Sequence, residues 1–432
     1  MRITYFITPI IFILGCSMNN EENRISKWSD SLTIYEVNLR QFTPEGTIDA
    51  FRNHLPRLKS MGVGILWFMP IHPIGELNRK GSLGSYYSVQ DYYEINPEFG
   101  TLDEFQSLVH EIHEMGMYVI IDWVANHTAW DNPMAIKNPD WYTKNDSGSF
   151  QHPPGTNWYD VMDLDYNNRD LREYMINAMK YWVIEIDIDG FRCDVASMVP
   201  TDFWESITPI LNEIKPVFML AESDEPELLE NAFDADYNWG LYHLLKDIAA
   251  GEKESSEIIQ YYQTPPKSYP ATSLRMNFLD NHDENSWGRI MISHFGNNVY
   301  PIMTMIFTLP GIPMIYSGQE ARLDKQLEFF EKDIISWGDI PDSKFYQKLI
   351  TLKKSNPVFW NNNHSLSFMD SLPEGIIGFY RQYKEKQFGT IINLTSEGSL
   401  LKISDSSDIL FKDENSRSDF IAPSGYLVYK IK

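Results

Sequence analysis

Leu102-Asp-Glu-Phe-Gln-Ser-Leu-Val-His-Glu-Ile-His-Glu-Met115, then Gly116, then Tyr118-Val-Ile-Ile-Asp-Trp123: this stretch carries the fold in miniature. Apolar residues recur at helical spacing as far as Met115, Gly116 stops the helix, and a β-branched and aromatic run follows. The run ends among polar residues, Asp122 within it and Asn126-His127 just beyond. The same helix, glycine and strand order recurs on both sides. Candidate strands are Thr33 to Leu39, Gly64 to Met69, Tyr118 to Trp123, Gly190 to Cys193, Val217 to Ala221, Ala232 to Ala235, Thr272 to Leu279 and Pro313 to Tyr316. Candidate helices between them include Ile48 to Met61, Leu102 to Met115, Asp170 to Glu185 and Pro301 to Leu309, with Gly62 as a second stop. Eight strands alternating with helices predict an α/β fold, a closed parallel (β/α)8 TIM barrel whose sheet is buried on both faces.

One connection breaks the rhythm. Between Asn126 and Asn168 lie about forty residues rich in Asn, Asp, Pro, Gly and aromatics, too long for an unstructured loop in a compact domain. They are expected to form a small inserted subdomain after the third strand, residues 127–167, over the barrel mouth. After Lys354 the helical period stops. Leu366 to Phe368, Ile376 to Tyr383, Phe388 to Asn393, Leu400 to Ile403 and Gly425 to Ile431 predict a C-terminal antiparallel β-sandwich over residues 354–432, the barrel occupying 30–353.

The 432 residues carry 36 basic and 60 acidic side chains, a net charge of −24, which excludes a binder of nucleic acid or other polyanions. A hydrophobic fraction of 43% supports a core and sets aside disordered and collagenous readings. Aromatic residues make up 14% and suit both core packing and sugar rings. Two cysteines, Cys16 and Cys193, exclude a disulfide scaffold. Cys193, in an apolar-flanked run, reads as a small buried hydrophobe rather than a reactive thiol.

Cys16 has another context. Ile3 to Leu14 is almost wholly apolar, with Arg2 before it, and its length of roughly a dozen residues fits a secretory signal rather than a membrane span. Ile13-Leu14-Gly15-Cys16 resembles the lipobox of bacterial lipoproteins, in which the cysteine is lipidated. Residues 1–16 are therefore expected to be a lipoprotein signal peptide and 17–29 a polar tether. The Glu21-Glu22 pair resembles a surface-export tag or is a solvated linker. This implies an exported protein, anchored by lipid at Cys16 to the bacterial outer membrane and facing the cell surface or periplasm.

In parallel barrels the C-terminal strand ends carry the chemistry. Reading each end gives Asp122 with Asn126-His127, Arg192-Cys-Asp194, Glu222, and Asn281-His282-Asp283. One such acid is commonly a helix cap, but four acids with an arginine and two histidines converge on one mouth. Two carboxyl groups facing a glycosidic bond can cleave it, one as acid and one as nucleophile or base. Arg192 and Asp194, two apart on a strand, point to one side. Arg192 is therefore expected to hold Asp194 ionised as the nucleophile, leaving Glu222 as the acid with a raised pKa.

These segments resemble the α-amylase family, glycoside hydrolase family 13, whose motifs occur here in order. Asp122-Trp-Val-Ala-Asn-His127, Gly190-Phe-Arg-Cys-Asp194, Leu220-Ala-Glu222 and Phe278-Leu-Asp-Asn-His-Asp283 are similar to its four principal motifs. Tyr87-Ser-Val-Gln-Asp-Tyr92, Asn96-Pro-Glu-Phe-Gly-Thr101, Met162-Asp-Leu-Asp165 and Gly311-Ile-Pro-Met-Ile-Tyr-Ser-Gly-Gln-Glu320 add supporting matches. The resemblance implies a retaining α-glucoside hydrolase acting on α-1,4-linked glucan oligo- or polysaccharides. Asp194 would attack the anomeric carbon, Glu222 would serve as acid and then base, and Asp283 would stabilise the transition state. His127, Arg192 and His282 would bind or orient around the same sugar, Tyr87 would stack beneath it, and Asp122 would partner the arginine.

The resemblance also implies Ca²⁺ held by Asn126, Asp163 and a histidine four residues past the nucleophile. Met198 stands at that last position, and a thioether is a poor ligand for a hard cation. Two alternatives stay open. A glucanotransferase or a sucrose- or cyclodextrin-acting relative would share the covalent intermediate, and a non-catalytic glucan-binding protein would keep the barrel. The acids' retention argues against the second. Oligomeric state is not legible.

Overall fold

The computed structural model describes residues 28–270, 273–360, 365–370, 372–401, 403 and 407–432. The expected signal peptide, Cys16 and most of the tether lie outside the described residues. Eight parallel strands close a barrel in chain order: β1 (Ile34–Val37), β2 (Ile65–Phe68), β3 (Tyr118–Trp123), β4 (Gly190–Cys193), β5 (Phe218–Ala221), β6 (Ala235–Tyr237), β7 (Leu274–Asn277) and β8 (Ile312–Tyr316). β8 pairs with β1 to complete the circle. Nearly every strand residue is buried, because helices cover the outer face and side chains fill the inner one.

Local chemistry explains the ends. Thr101 and Glu104 form a reciprocal capping box at the start of the helix Leu102–Glu114. Gly62 closes the helix Leu55–Met61 in the left-handed conformation, φ 99°. Gly190 opens β4 at φ 151°, and a Cβ there would lie 2.0 Å from the Phe218 carbonyl oxygen of β5, so only glycine lets these strands pair.

Two expectations shift. The helix expected over Ile48 to Met61 is two, Ile48–Arg52 and Leu55–Met61, separated at Asn53-His54, with Pro56 seeding the second. The sixth strand starts at Ala235 and not Ala232. Residues 232–234 are its approach, where the Thr208 hydroxyl donates to the Ala232 carbonyl and the Asp234 carboxylate accepts the Met219 N–H.

The segment after β3 folds over the mouth as expected, around an antiparallel ribbon of His127–Ala129 with Val161–Asp163. The C-terminal region is a five-stranded antiparallel sheet of β9 (Ser365–Phe368), β10 (Ile376–Tyr383), β11 (Lys386–Asn393), β12 (Ser407–Lys412) and β13 (Tyr426–Ile431), in the order β9-β10-β11-β13-β12. One face packs on the helices Val299–Thr308 and Ser343–Ser355 of the barrel, where Phe345 meets Phe411 and Tyr426. Among the described residues a two-stranded ribbon, Ser399–Leu400 with Phe420–Ile421, forms the second layer of the expected sandwich, and Ile421 shares an apolar cluster with Ile376, Ile391 and Leu427. β12 escaped the sequence reading because Ile409 and Leu410 are both exposed on this edge, so no alternation marks it.

Candidate active site

Arg192, the third residue of β4, is fully buried and organises the floor of the mouth. Its Nη1 donates to Asp122 Oδ1 at 2.9 Å and to Asp194 Oδ1 at 3.0 Å, and its Nε donates to the Tyr237 hydroxyl at 3.1 Å. Its Nη2 lies 2.9 Å from Glu222 Oε1 as an ion pair whose angle is not that of a hydrogen bond, so the charge rather than a directed N–H holds Glu222. The other oxygen, Oε2, accepts the Val195 N–H at 2.7 Å. Val195 holds that N–H in place with a left-handed backbone, φ 37°, which is costly for a β-branched residue.

Asp194 and Glu222 follow β4 and β5 directly, and a backbone link joins them as Glu222 N–H donates to the Cys193 carbonyl. Asp283 sits in the first turn of the helix His282–Trp287 after β7, half-exposed, with Oδ2 3.3 Å from His282 Nε2. His282 turns its Nδ1 to Glu36 Oε1 at 2.5 Å and its Nε2 to the Tyr87 hydroxyl at 2.7 Å. Tyr87 also donates to Asp122, and its ring meets those of His282 and Phe329, which touch each other as well. His127 lies beside Asn126 and Trp158.

Tyr87, His127, Asp194, Glu222, His282 and Asp283 line one cavity of about 530 Å³, with Trp158, Trp287, Phe329 and Phe330 as aromatic walls. That volume and mixture of apolar wall with convergent polar groups suits a small neutral ligand. Every residue expected at the site except the metal pair is thus brought together, with Arg192 and Asp122 beneath. Glu36, Tyr237, Trp158, Trp287, Phe329 and Phe330 were missed. Of these Glu36 carried a signal, a carboxylate inside the apolar strand Ile34–Val37.

Five carboxylates, Glu36, Asp122, Asp194, Glu222 and Asp283, surround one guanidinium and one imidazole. Burial first, and then Glu222, push Asp194 well above the ordinary carboxylate range, with Arg192 opposing them. Burial raises Asp122 to about 6 against the pull of Arg192. The expectation that Arg192 singles out Asp194 as the ionised partner is not met, because the same guanidinium serves Asp122, Asp194 and Glu222 alike. A proton retained by the cluster belongs to the pair, not to one member. Burial would lower His282, but Asp283 and Glu36 outweigh it and raise the imidazole to about 9. Burial drives His127 down to about 3, leaving it neutral.

The residues expected to hold Ca²⁺ supply only part of a ligand set. The Asp163 carboxylate accepts the Thr143 hydroxyl at 2.7 Å, the Asn126 amide nitrogen faces His127 Nδ1 at 3.1 Å, and the Met198 side chain is partly exposed. Among the described residues no three His, Cys, Asp or Glu side chains are grouped to hold a metal. With one carboxylate and one amide, most of calcium's six to eight oxygens would have to be backbone carbonyls and water.

The match to known proteins agrees with this geometry. Residues 12–162 and 155–388 match the family described as the alpha amylase catalytic domain. An alpha-amylase from Lactobacillus plantarum has a similar structure, with a TM-score of 0.84 and 30% identity, covering 94% of this chain and 100% of that one. A noncanonic maltogenic alpha-amylase from Thermotoga neapolitana gives a TM-score of 0.80 and 31% identity over 93% of this chain and 96% of its own. Alpha-amylase 2 of Dictyoglomus thermophilum is 24% identical over 87% of this chain and 71% of its own length. With this barrel, this cluster of acids around Arg192 and a family match over most of its length, the chain belongs to the alpha-amylase family and is an enzyme that acts on glycosidic bonds of α-glucans.

Proposed function

We propose that the protein hydrolyses α-1,4-linked glucans, starch or maltodextrins, with retention of configuration. The observation that carries this reading is the pairing of Asp194 and Glu222 on one guanidinium at the cavity floor, with Asp283 on the helix beyond. An Asp194 oxygen attacks the anomeric carbon. The bond to the leaving oxygen breaks, and that oxygen takes the Glu222 proton. Water then enters, gives a proton to Glu222, and displaces Asp194. Asp283 hydrogen-bonds the hydroxyls of the distorted sugar, the neutral His127 joins it, the charge of His282 lies beside them, and the Tyr87 ring forms the surface on which the sugar rests.

A sugar hydroxyl in place of water would make the same intermediate a transferase, and the acids alone do not separate the two. Product analysis on maltoheptaose, starch, cyclodextrin and sucrose does. Glu222→Gln keeps the shape but removes the proton, so kcat on maltoheptaose should fall by about 10²–10⁴-fold while binding survives. Turnover equal to that of the wild type would overturn the assignment. The lipobox-like segment at Cys16 supports an enzyme tethered to the outer membrane, where it would meet polysaccharide outside the cell.

A further inference from the structure

The cavity has a wall that the chemistry does not use. Lys80, on the long segment after β2, reaches across to Asp160 of the inserted subdomain, Nζ to Oδ1 2.7 Å. Asp160 is buried and Lys80 half-buried, and both line the cavity. The segment that carries Lys80 is itself clamped onto the loop after β8. Leu83 N–H donates to the Phe330 carbonyl at 3.0 Å, Ser82 N–H donates to the Glu331 carboxylate at 2.8 Å, and Lys80 Nζ lies 6.0 Å from the Phe330 ring centre. Gly81 makes the clamp possible, since a Cβ there would lie 2.4 Å from Phe330 Cβ. Ser88, next to Tyr87, ties the Asp160 backbone with a hydrogen bond of 3.1 Å.

The strand order tells which side this wall closes. β8, β1, β2 and β3 are consecutive around the barrel, so the loops after β2, β3 and β8 occupy one half of the rim. Glu222 and Val195 follow β5 and β4 on the opposite half. Under the proposed chemistry the leaving group lies on the Glu222 side. The Lys80–Asp160 wall thus stands away from the Glu222 side of the cavity, backed by the loop after β8.

We propose that the Lys80–Asp160 bridge, backed by Phe330, is a specificity-determining latch that closes the cavity beyond the non-reducing end and makes the enzyme act from chain ends, releasing short products. This rests on the α-glucan reading above. The neutral substrate needs no charge from either partner, and the pair's effect is steric: it joins the loops after β2 and β3 across one side of the cavity.

The test compares two p-nitrophenyl maltoheptaosides, one with a free non-reducing end and one capped there by a 4,6-ethylidene group, on the full protein. The wild type should cleave the free substrate well and the capped one poorly. Lys80→Met, which keeps the bulk of the stem but loses the bridge, should raise the capped-to-free ratio of kcat/KM by about tenfold or more and lengthen the products. Asp160→Asn should do likewise, and Lys80→Arg should restore the low ratio. Thermal unfolding of each variant verifies folding. Equal cleavage of both substrates by the wild type overturns the latch, as does an unchanged ratio in folded Lys80→Met and Asp160→Asn. Absence of turnover on any α-1,4-glucan by the wild type instead overturns the α-glucan reading on which the latch rests.

Discussion

Glu36 and His282 are expected to set the alkaline side of the working pH range. The imidazole, fixed by Glu36 on one nitrogen and by Tyr87 on the other, keeps its proton up to about pH 9 despite burial, because Asp283 and Glu36 outweigh the desolvation. Above that value the charge facing the substrate hydroxyls is lost and kcat/KM should fall. Glu36→Gln removes one of the two carboxylates and leaves burial with less opposition, so the alkaline limb should move down by about one unit or more, as a pH profile of kcat/KM would record. An unmoved limb would show that another group controls it. The stability sign follows from the raised value. The protonated imidazole's contribution is complete below 6.5, the ordinary histidine value, and disappears as the pH rises through about 9. Asp194, Glu222 and Asp283 were legible as residues, because an acid at a strand end of a barrel is a recognisable pattern. Glu36 and Tyr237 were not legible as partners, since their roles arise from the circular order of strands that meet far apart in sequence.

Among elements, the helix Ser343–Ser355 is tied by a buried lysine to the turn before β8 and to the turn that follows the helix. Lys353 Nζ donates to the Gly311 and Phe359 carbonyls, each at 2.9 Å. Desolvation, and then the nearby Arg381, lower its pKa to about 7. Between 7 and the ordinary lysine value of 10.5 the unfolded chain binds a proton that the folded chain does not, so this group makes stability rise with pH across that window. Lys353→Met removes the titration and leaves two carbonyls without their donor. The variant should melt lower than the wild type at alkaline pH, and the difference should shrink as the pH is lowered toward 7, in thermal unfolding at pH 7 and 9. Element existence was readable where glycine stops and capping residues speak locally, as at Gly62 and Thr101. The break at Asn53-His54 and the edge strand Ser407–Lys412 were not, because packing rather than propensity decides them.

For the whole molecule, the segment ending at Cys16 carries the remaining prediction. A lipid on that cysteine would hold the enzyme at the membrane while the acidic chain, net −24, stays in solution. Cys16→Ala should shift the protein from the membrane pellet to the soluble fraction after expression in a lipoprotein-processing bacterium. An unchanged distribution would sink the anchor.

The barrel, the inserted segment and the acids at its mouth were determined by the sequence alone, since each depends on periodicity, stop residues and short motifs read along the chain. Three things were decided only by the tertiary structure: the sharing of Arg192 among three acids, the partners that Asn126 and Asp163 take, and the Lys80–Asp160 wall. The physical reason is common to all three. Charge sharing, ligand geometry and steric closure depend on distances between side chains from different loops, and those distances exist only once the eight strands have closed the circle.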